Sequence, residues 1–472
     1  MPLYLPRAIV ILSFIFRTSK GSFHPAVPLQ NLSIAWKQLG TVGQTQTRSS
    51  ASKTRFLSLQ RTNINMEENT QNSIKNSIDA HYIFLIHGWL GNAKEMGFLE
   101  SSINSITESA SIANVNTKAK AARIVTHSAI CNDAKTTDGI AIGGIRLAQE
   151  IQKFIINDVQ SNIDGSATSS NEVLELEHHC TISFVGNSLG GLYARYALSR
   201  LPDKLPLQSD SGKETTPSVH LQRQLFVTTA TPHLGVASNT FLPIPRTLEH
   251  GISRIMNLTG RDLFRTDDID IIYQMSTDYD TFLKPLSLFQ KRIAFANAFQ
   301  TDFQVPTSTA AFLSSESTYP HLIEKDVDHP FIVAVARTEE NLDVLKEKIE
   351  ERIPCKIHAM SVKLDALGWQ KVFVDVRDYS PLPGIARPSF LTTGSRQKWN
   401  DFMSGVDRRK KQVESRDLLR SLSGSDRFVI PVGHQIMVAN SKNQRYSRFT
   451  AKGRPVMDYL ANWMVKDLTQ DL

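Results

Sequence analysis

The chain predicts an α/β fold, a mostly parallel central sheet with helices on both faces. Two observations predict it. Strand-like and helix-like runs alternate along most of the chain, as parallel strands require, since each crossover is long enough to hold a helix. The run Thr181-Ile-Ser-Phe-Val185 also stops at Gly186-Asn-Ser-Leu-Gly190 and passes at once into a helix-like stretch reaching Ala197. That is a strand, a sharp turn and a helix with a serine at its apex, the Gly-x-Ser-x-Gly elbow. Such a turn strains Ser188 and raises its hydroxyl above the sheet. Gly186 and Gly190 fit where strand and helix backbones pass too close for a Cβ.

The elements follow in order. Tyr82–Ile86 is a short apolar strand closed by His87-Gly88, and Arg123–Ser128 reads as the next strand. Residues 142–159 predict a helix, with Ile151, Phe154, Ile155 and Val159 on one face at helical spacing. After the elbow, a polar loop containing prolines over about 201–219 leads to a strand at Gln224–Thr229. A helical, lid-like insertion is expected over about 236–290, then strands at Arg292–Asn297 and Lys371–Val376. A second insertion over about 377–430 carries the basic run Asp407-Arg-Arg-Lys-Lys411, most simply an exposed face.

Length and charge bound the function. The 472 residues suit one large α/β domain with insertions or several smaller ones. No apolar run reaches the roughly 18 residues of a membrane span. The net charge is +7, but eight Lys or Arg precede the first acid, Glu67, so the rest of the chain carries −1. A nucleic-acid partner loses its main support. Cys131, Cys180 and Cys355 are too few and scattered for a disulfide framework or zinc site. Residues 1–66 read as a targeting extension outside the α/β domain expected over 67–472. A signal-length apolar core at Ala8–Phe16 precedes a tract poor in acids and rich in Ser, Thr, Gln and basic residues. This resembles the bipartite plastid leader of algae with complex plastids, and Phe23-His24-Pro25 matches its Phe with a nearby Pro. Secretory or mitochondrial delivery is the alternative.

A serine hydroxyl needs a base, and the base needs a group that fixes its tautomer. In the α/β-hydrolase arrangement these follow the serine in the order acid, then histidine. The acid favoured is Asp302, just beyond the strand ending at Asn297, with Asp326 and Asp328 as runners-up. The base favoured is His434, in the glycine-containing stretch Ile430-Pro-Val-Gly-His434. Taken alone, each reads equally well as a turn carboxylate or a satisfied imidazole. His233 precedes every candidate acid and is read as a supporting residue. The oxyanion donors expected are the backbone amides of Leu189, which opens the helix, and Trp89, with Leu90 as its alternative. Trp89, Leu90, Phe241 and Leu242 either line an acyl pocket or pack in the core.

These segments together resemble the putative serine esterase, or lipase-like, family of eukaryotic α/β-hydrolases. The resemblance rests on His87-Gly-Trp-Leu-Gly-Asn92, Thr137-Asp-Gly-Ile140 with Gly144-Ile-Arg-Leu-Ala148, and the elbow through Arg195-Tyr-Ala197. It continues through Thr231-Pro-His-Leu-Gly235, Thr259-Gly-Arg-Asp-Leu263, Asn297 with Asp302 and Val305-Pro306, and Gly433-His434. Asn187 stands where many relatives carry His. The resemblance implies an ester hydrolase acting on lipids without a cofactor, with the triad on Ser188, Asp302 and His434. The partner expected is a lipid or small ester, with peripheral membrane contact and no nucleic acid. Acyl transfer, or a non-catalytic binding fold, are the competing expectations.

Overall fold

The computed structural model describes residues 78–113, 122–166, 177–207, 217–237, 246–299, 301–302, 304–324, 329–347, 356–376, 390–406, 412–423 and 433–470. Contacts divide the chain into Met1–Lys75 and Asn76–Leu472, and all described residues belong to the second unit. The leader, Phe241, Leu242, Asp326, Asp328, Cys355 and the run Asp407–Lys411 lie outside them.

In chain order the strands are β1 (Ala80–Ile86), β2 (Arg123–Ser128), β3 (Glu177–Asn187), β4 (Lys204–Pro206) and β5 (Ser218–Thr229), then β6 (Lys291–Asn297), β7 (Pro320–Glu324), β8 (Ile332–Arg337), β9 (Gln370–Val374) and β10 (Gln412–Glu414). Before β6 lie helices α1 (Gly97–Ala113), α2 (Ile140–Ser166), α3 (Leu189–Leu198), α4 (Arg246–Ile255), α5 (Asn257–Phe264), α6 (Ile271–Thr277) and α7 (Lys284–Ser287). The later helices are α8 (Thr307–Ala310), α9 (Leu342–Lys346), α10 (Lys356–Asp365), α11 (Phe390–Gly405), α12 (Ser415–Leu422), α13 (Gly433–Met437), α14 (Gln444–Phe449) and α15 (Arg454–Gln470).

Six strands run parallel in the order β2-β1-β3-β5-β6-β9. The sheet continues antiparallel through β8, β7 and β10, while β4 pairs antiparallel with the start of β5. The chain steps from β1 outward to β2 and then back past β1 to β3. Open α/β sheets bind ligands at such a reversal, here the carboxyl ends of β1 and β3.

β1 is buried along its whole length because helices cover both of its faces. Tyr82, Phe84 and Ile86 share a core with Leu147, Ile151 and Ile155 of α2 and Leu192 of α3. Ile83 and Leu85 point the other way, into a core with Leu99 and Ile103 of α1 and Leu460 and Met464 of α15.

The expected strands are all present, most of them longer than the apolar runs that announced them. β3 starts at Glu177 and β5 at Ser218 because neighbouring strands pair there, although the sequence is polar. The expected helix at 142–159 extends over Ile140–Ser166, starting where Asp262 Oδ2 accepts from Ile140 N at 2.6 Å. The described part of 236–290 is mostly helical, as α4 to α7 and a π-helical turn at Tyr279–Leu283. In the stretch read as a second insertion, β10 pairs with β7 and supplies the edge of the sheet. β7, β8 and the long α15 were not among the expected elements. None of the described helices is long and apolar enough to cross a membrane.

Candidate active site

β3 ends in the turn that holds Ser188 at φ 54° and ψ −122°. A non-glycine residue held there costs about 1–3 kcal/mol, so its surroundings must over-determine it. They do. Ser188 N donates to Thr229 O on the neighbouring strand at 2.8 Å, and Gly191 N donates to Ser188 O at 3.2 Å. A Cβ at Gly186 would lie 2.5 Å from Gly191 Cα, and one at Gly190 would lie 2.2 Å from Ile86 O. Both contacts are with backbone and cannot swing away, so the two glycines let α3 close onto β1 and β3.

The loop after β1 comes within contact of the serine, for a Cβ at Gly88 would meet Ser188 Cβ at 2.9 Å. His87 is buried, its Nδ1 3.0 Å from Gly88 O and its Nε2 3.0 Å from Asp133 Oδ1. Leu90 sits at φ 55° and its N–H donates to Thr136 Oγ1 at 3.0 Å. The amide of Leu90, the alternative oxyanion donor, is therefore already paired in this structure. Among the described residues the Trp89 and Leu189 amides have no acceptor.

Asp302 and His434 come together from 132 positions apart. His434 Nδ1–H donates to Asp302 Oδ2 at 2.9 Å, and both side chains are buried. Asp302 is held on every side: Oδ1 accepts from the amides of Gln304 at 2.8 Å and Val305 at 2.9 Å, and Oδ2 from Asn297 Nδ2 at 3.0 Å. Gly433 N donates to Thr301 O at 2.8 Å, fastening the start of α13 beside the acid. Burial pushes the His434 imidazole towards the neutral form, but the Asp302 charge and hydrogen bond, with the more distant Glu95, outweigh it and raise its pKa above 6.5. With Nδ1 protonated towards Asp302, Nε2 is the nitrogen left to accept a proton.

Ser188 Oγ and His434 form no hydrogen bond in this structure; such bonds often tighten only with substrate bound. The two are instead linked through Glu95, in the short 3-10 turn Ala93–Met96. Glu95 Oε1 accepts from Gly88 N at 2.9 Å and from Asn187 Nδ2 at 2.6 Å, on either side of the serine. Asn187 Oδ1 in turn accepts from Thr229 Oγ1 at 3.0 Å. Glu95 O accepts from Ser441 N at 3.1 Å, tying in the segment that follows α13. Glu95 was not singled out from the sequence, and Asn187 was noted only for standing where many relatives carry His. Seven residues past Gly88, an acid at the start of a helical turn reads only as a favourable helix-end charge.

His233 is fully buried behind the elbow helix. Its Nε2 lies 3.0 Å from Thr228 Oγ1 and its Nδ1 3.3 Å from Arg195 Nη1. Burial, with the charges of Arg195 and Lys371, holds its pKa well below the usual imidazole value. Arg195, also buried, donates to Met275 O at 2.6 Å and Ser276 Oγ at 3.0 Å, joining α3 to α6. This is the supporting role expected of His233.

Residues 76–316 match the family described as "Putative serine esterase (DUF676)". The chain is 27% identical over 251 residues to "Putative lipase YDL109C" of Saccharomyces cerevisiae, a match covering 52% of this chain and 32% of that protein. It is 28% identical over 242 residues to "Putative lipase C4A8.10" of Schizosaccharomyces pombe, covering 50% and 26%. The matched region thus spans a third or less of these relatives' own length. A solved structure, phospholipase PlaB from Legionella pneumophila in complex with thio-NAD, aligns at TM-score 0.25 and 12% identity over 46% of this chain and 38% of that one.

Proposed function

We propose, from the premise that the chain belongs to the putative serine esterase family, that it hydrolyses carboxylic esters, with glycerolipids as the substrate class, through an acyl-enzyme on Ser188. In this reading Ser188 Oγ attacks the ester carbonyl as His434 Nε2 takes its proton. Asp302 holds the ring tautomer and stabilises the imidazolium. The Trp89 and Leu189 amides receive the developing oxyanion, and His434 returns the proton to the departing alcohol. Water, deprotonated by His434, then attacks the acyl carbon and releases the acid and Ser188.

The observation that carries the reading is the buried Asp302–His434 hydrogen bond, at the same sheet edge as a serine in a strained turn. A lipid substrate is supported by the lipase names of the yeast relatives. It is also supported by exposed aliphatic side chains at that edge: Leu90 after β1, Ile130 after β2 and Ile142 at the start of α2. These suit peripheral contact with a lipid surface.

The test uses the full chain with a fluorophosphonate probe, p-nitrophenyl esters and glycerolipid vesicles. Labelling that vanishes in Ser188→Ala, together with ester turnover, supports the reading. No labelling of the wild type, or equal labelling of Ser188→Ala, overturns it. An added alcohol that captures most of the acyl group would move the reaction class to acyl transfer.

A further inference from the structure

We infer that Glu95 is a positioning residue for this reaction: its carboxylate sets the nucleophile turn from both sides and supplies, with Asp302, the negative field around His434. The inference rests on the roles given above to Ser188, Asp302 and His434.

Glu95 is 3% exposed. A carboxylate removed from water is costly unless donors or a cation compensate it. Among the described residues no Lys or Arg pairs with it, and the donors it meets are Gly88 N and Asn187 Nδ2. Room for it is made by Gly91, where a Cβ would fall 2.3 Å from Glu95 Oε2. These contacts have a direction. Gly88 N is one peptide before the Trp89 amide proposed as an oxyanion donor, and Asn187 immediately precedes Ser188. One carboxylate oxygen therefore fixes the loop and the elbow against each other.

Holding those two donors does not require a charge, because a glutamine carbonyl would accept the same hydrogen bonds. The charge acts elsewhere. Among the described residues, the charged groups acting on the His434 imidazole are Asp302, from the loop after β6, and Glu95, from the turn after β1. The nearby Asn187, Asn297 and Gln435 are neutral. Ser441 Oγ also donates to Lys94 O at 2.9 Å and accepts from Phe98 N at 3.1 Å, so the histidine segment is pinned to the Glu95 turn. Glu95 is thus placed to favour the imidazolium that forms as Ser188 attacks.

The experiment compares wild type, Glu95→Gln, Glu95→Asp and Ser188→Ala in the full chain. It follows fluorophosphonate labelling and kcat/KM on p-nitrophenyl butyrate against pH, with thermal unfolding as the folding control. His434 must be neutral to act as a base, so removing a nearby anion moves the acid limb to lower pH. Glu95→Gln is expected to shift that limb down by about 0.5–1 unit. Its plateau rate should fall roughly ten-fold, mostly in kcat. Glu95→Asp keeps the charge and is expected to keep the wild-type limb while turning over more slowly. A folded Glu95→Gln whose limb is unmoved overturns the inference, even if its rate is lower at every pH. Should Glu95→Gln not fold, a displaced limb in Glu95→Asp overturns it, and an unmoved one supports it. If the wild type is not labelled at Ser188, the underlying reading fails and the inference with it. Labelled wild type with an unmoved limb in Glu95→Gln removes the inference alone.

Discussion

Among the described residues, the buried aspartate–histidine pairs Asp302–His434 and Asp365–His321 behave in opposite ways. Asp302 and His434 meet beyond the carboxyl end of β6, the end of the parallel strands at which Ser188 also lies. Asp365 and His321 lie towards the amino end of β9, with His321 Nε2 3.5 Å from Asp365 Oδ1. The difference is the third charge. Around His434 it is a second anion, Glu95, and the imidazole pKa is raised. Around His321 it is Lys371, whose Nζ bonds Asp365 and lies 2.9 Å from His321 Nε2. There burial and the ammonium outweigh the carboxylate, and the imidazole pKa is lowered. Burial also pushes Lys371 down to about 8 despite its acid partner. A buried acid beside a histidine is therefore no mark of a base; the sign of the remaining neighbours decides.

The largest expected contrast is in turnover. Ser188→Ala and His434→Gln should each lower ester hydrolysis by about ten-thousand-fold or more. His321→Gln, which keeps an acceptor for Lys371, should stay within about three-fold of wild type. Steady-state rates on p-nitrophenyl butyrate check this, and comparable losses at 321 and 434 would erase the distinction.

The acids come next. Asp302→Asn should cost about a thousand-fold or more in kcat by spoiling the His434 tautomer, with little change in unfolding. Asp365→Asn should leave kcat nearly intact but destabilise the fold by about 3 kcal/mol, because Lys371 loses its buried counter-charge. Adding Lys371→Met to Asp365→Asn should recover much of that loss, which denaturant unfolding of the double variant would show.

The smallest effect is in the pH dependence of stability, where the pairs should pull in opposite directions. His434 has a folded pKa above its unfolded value of about 6.5, so its contribution is complete below that pH and is lost as pH rises through the folded value. His321 has a folded pKa below about 6.5, so its contribution is present above that pH and is lost on acidification towards the folded value. Unfolding of His434→Gln and His321→Gln between about pH 5 and pH 8 should flatten opposite slopes.

Much of this architecture is legible in the residues themselves. Tyr82–Ile86 declares a strand because each of its side chains is apolar and bulky. Ser188 stands out by its Gly-x-Ser-x-Gly setting, although only Gly186 is demanded by a contact close in sequence, at Gly191; Gly190 is demanded by Ile86 on another strand. Asp302 and His434 were singled out by chain order and loop placement, and they lie 2.9 Å apart; their roles are the proposal made above. Phe331-Ile-Val-Ala-Val-Ala336 is apolar enough to have been read as a strand, but nothing local says that it runs antiparallel beside β9. Glu95 is the clearest case of an unreadable role, since its partner Asn187 is 92 positions away.

Six strands of the sheet, the helix after β2 and the elbow could be read along the chain alone, because apolar runs, helical spacing and turn residues act over a few positions and their steric and solvation costs are local. Which charges share a buried volume was decided only by the tertiary structure. Electrostatic energy depends on distance in space and on exclusion of water, and neither is set until β1, β3, β6 and α13 are packed together.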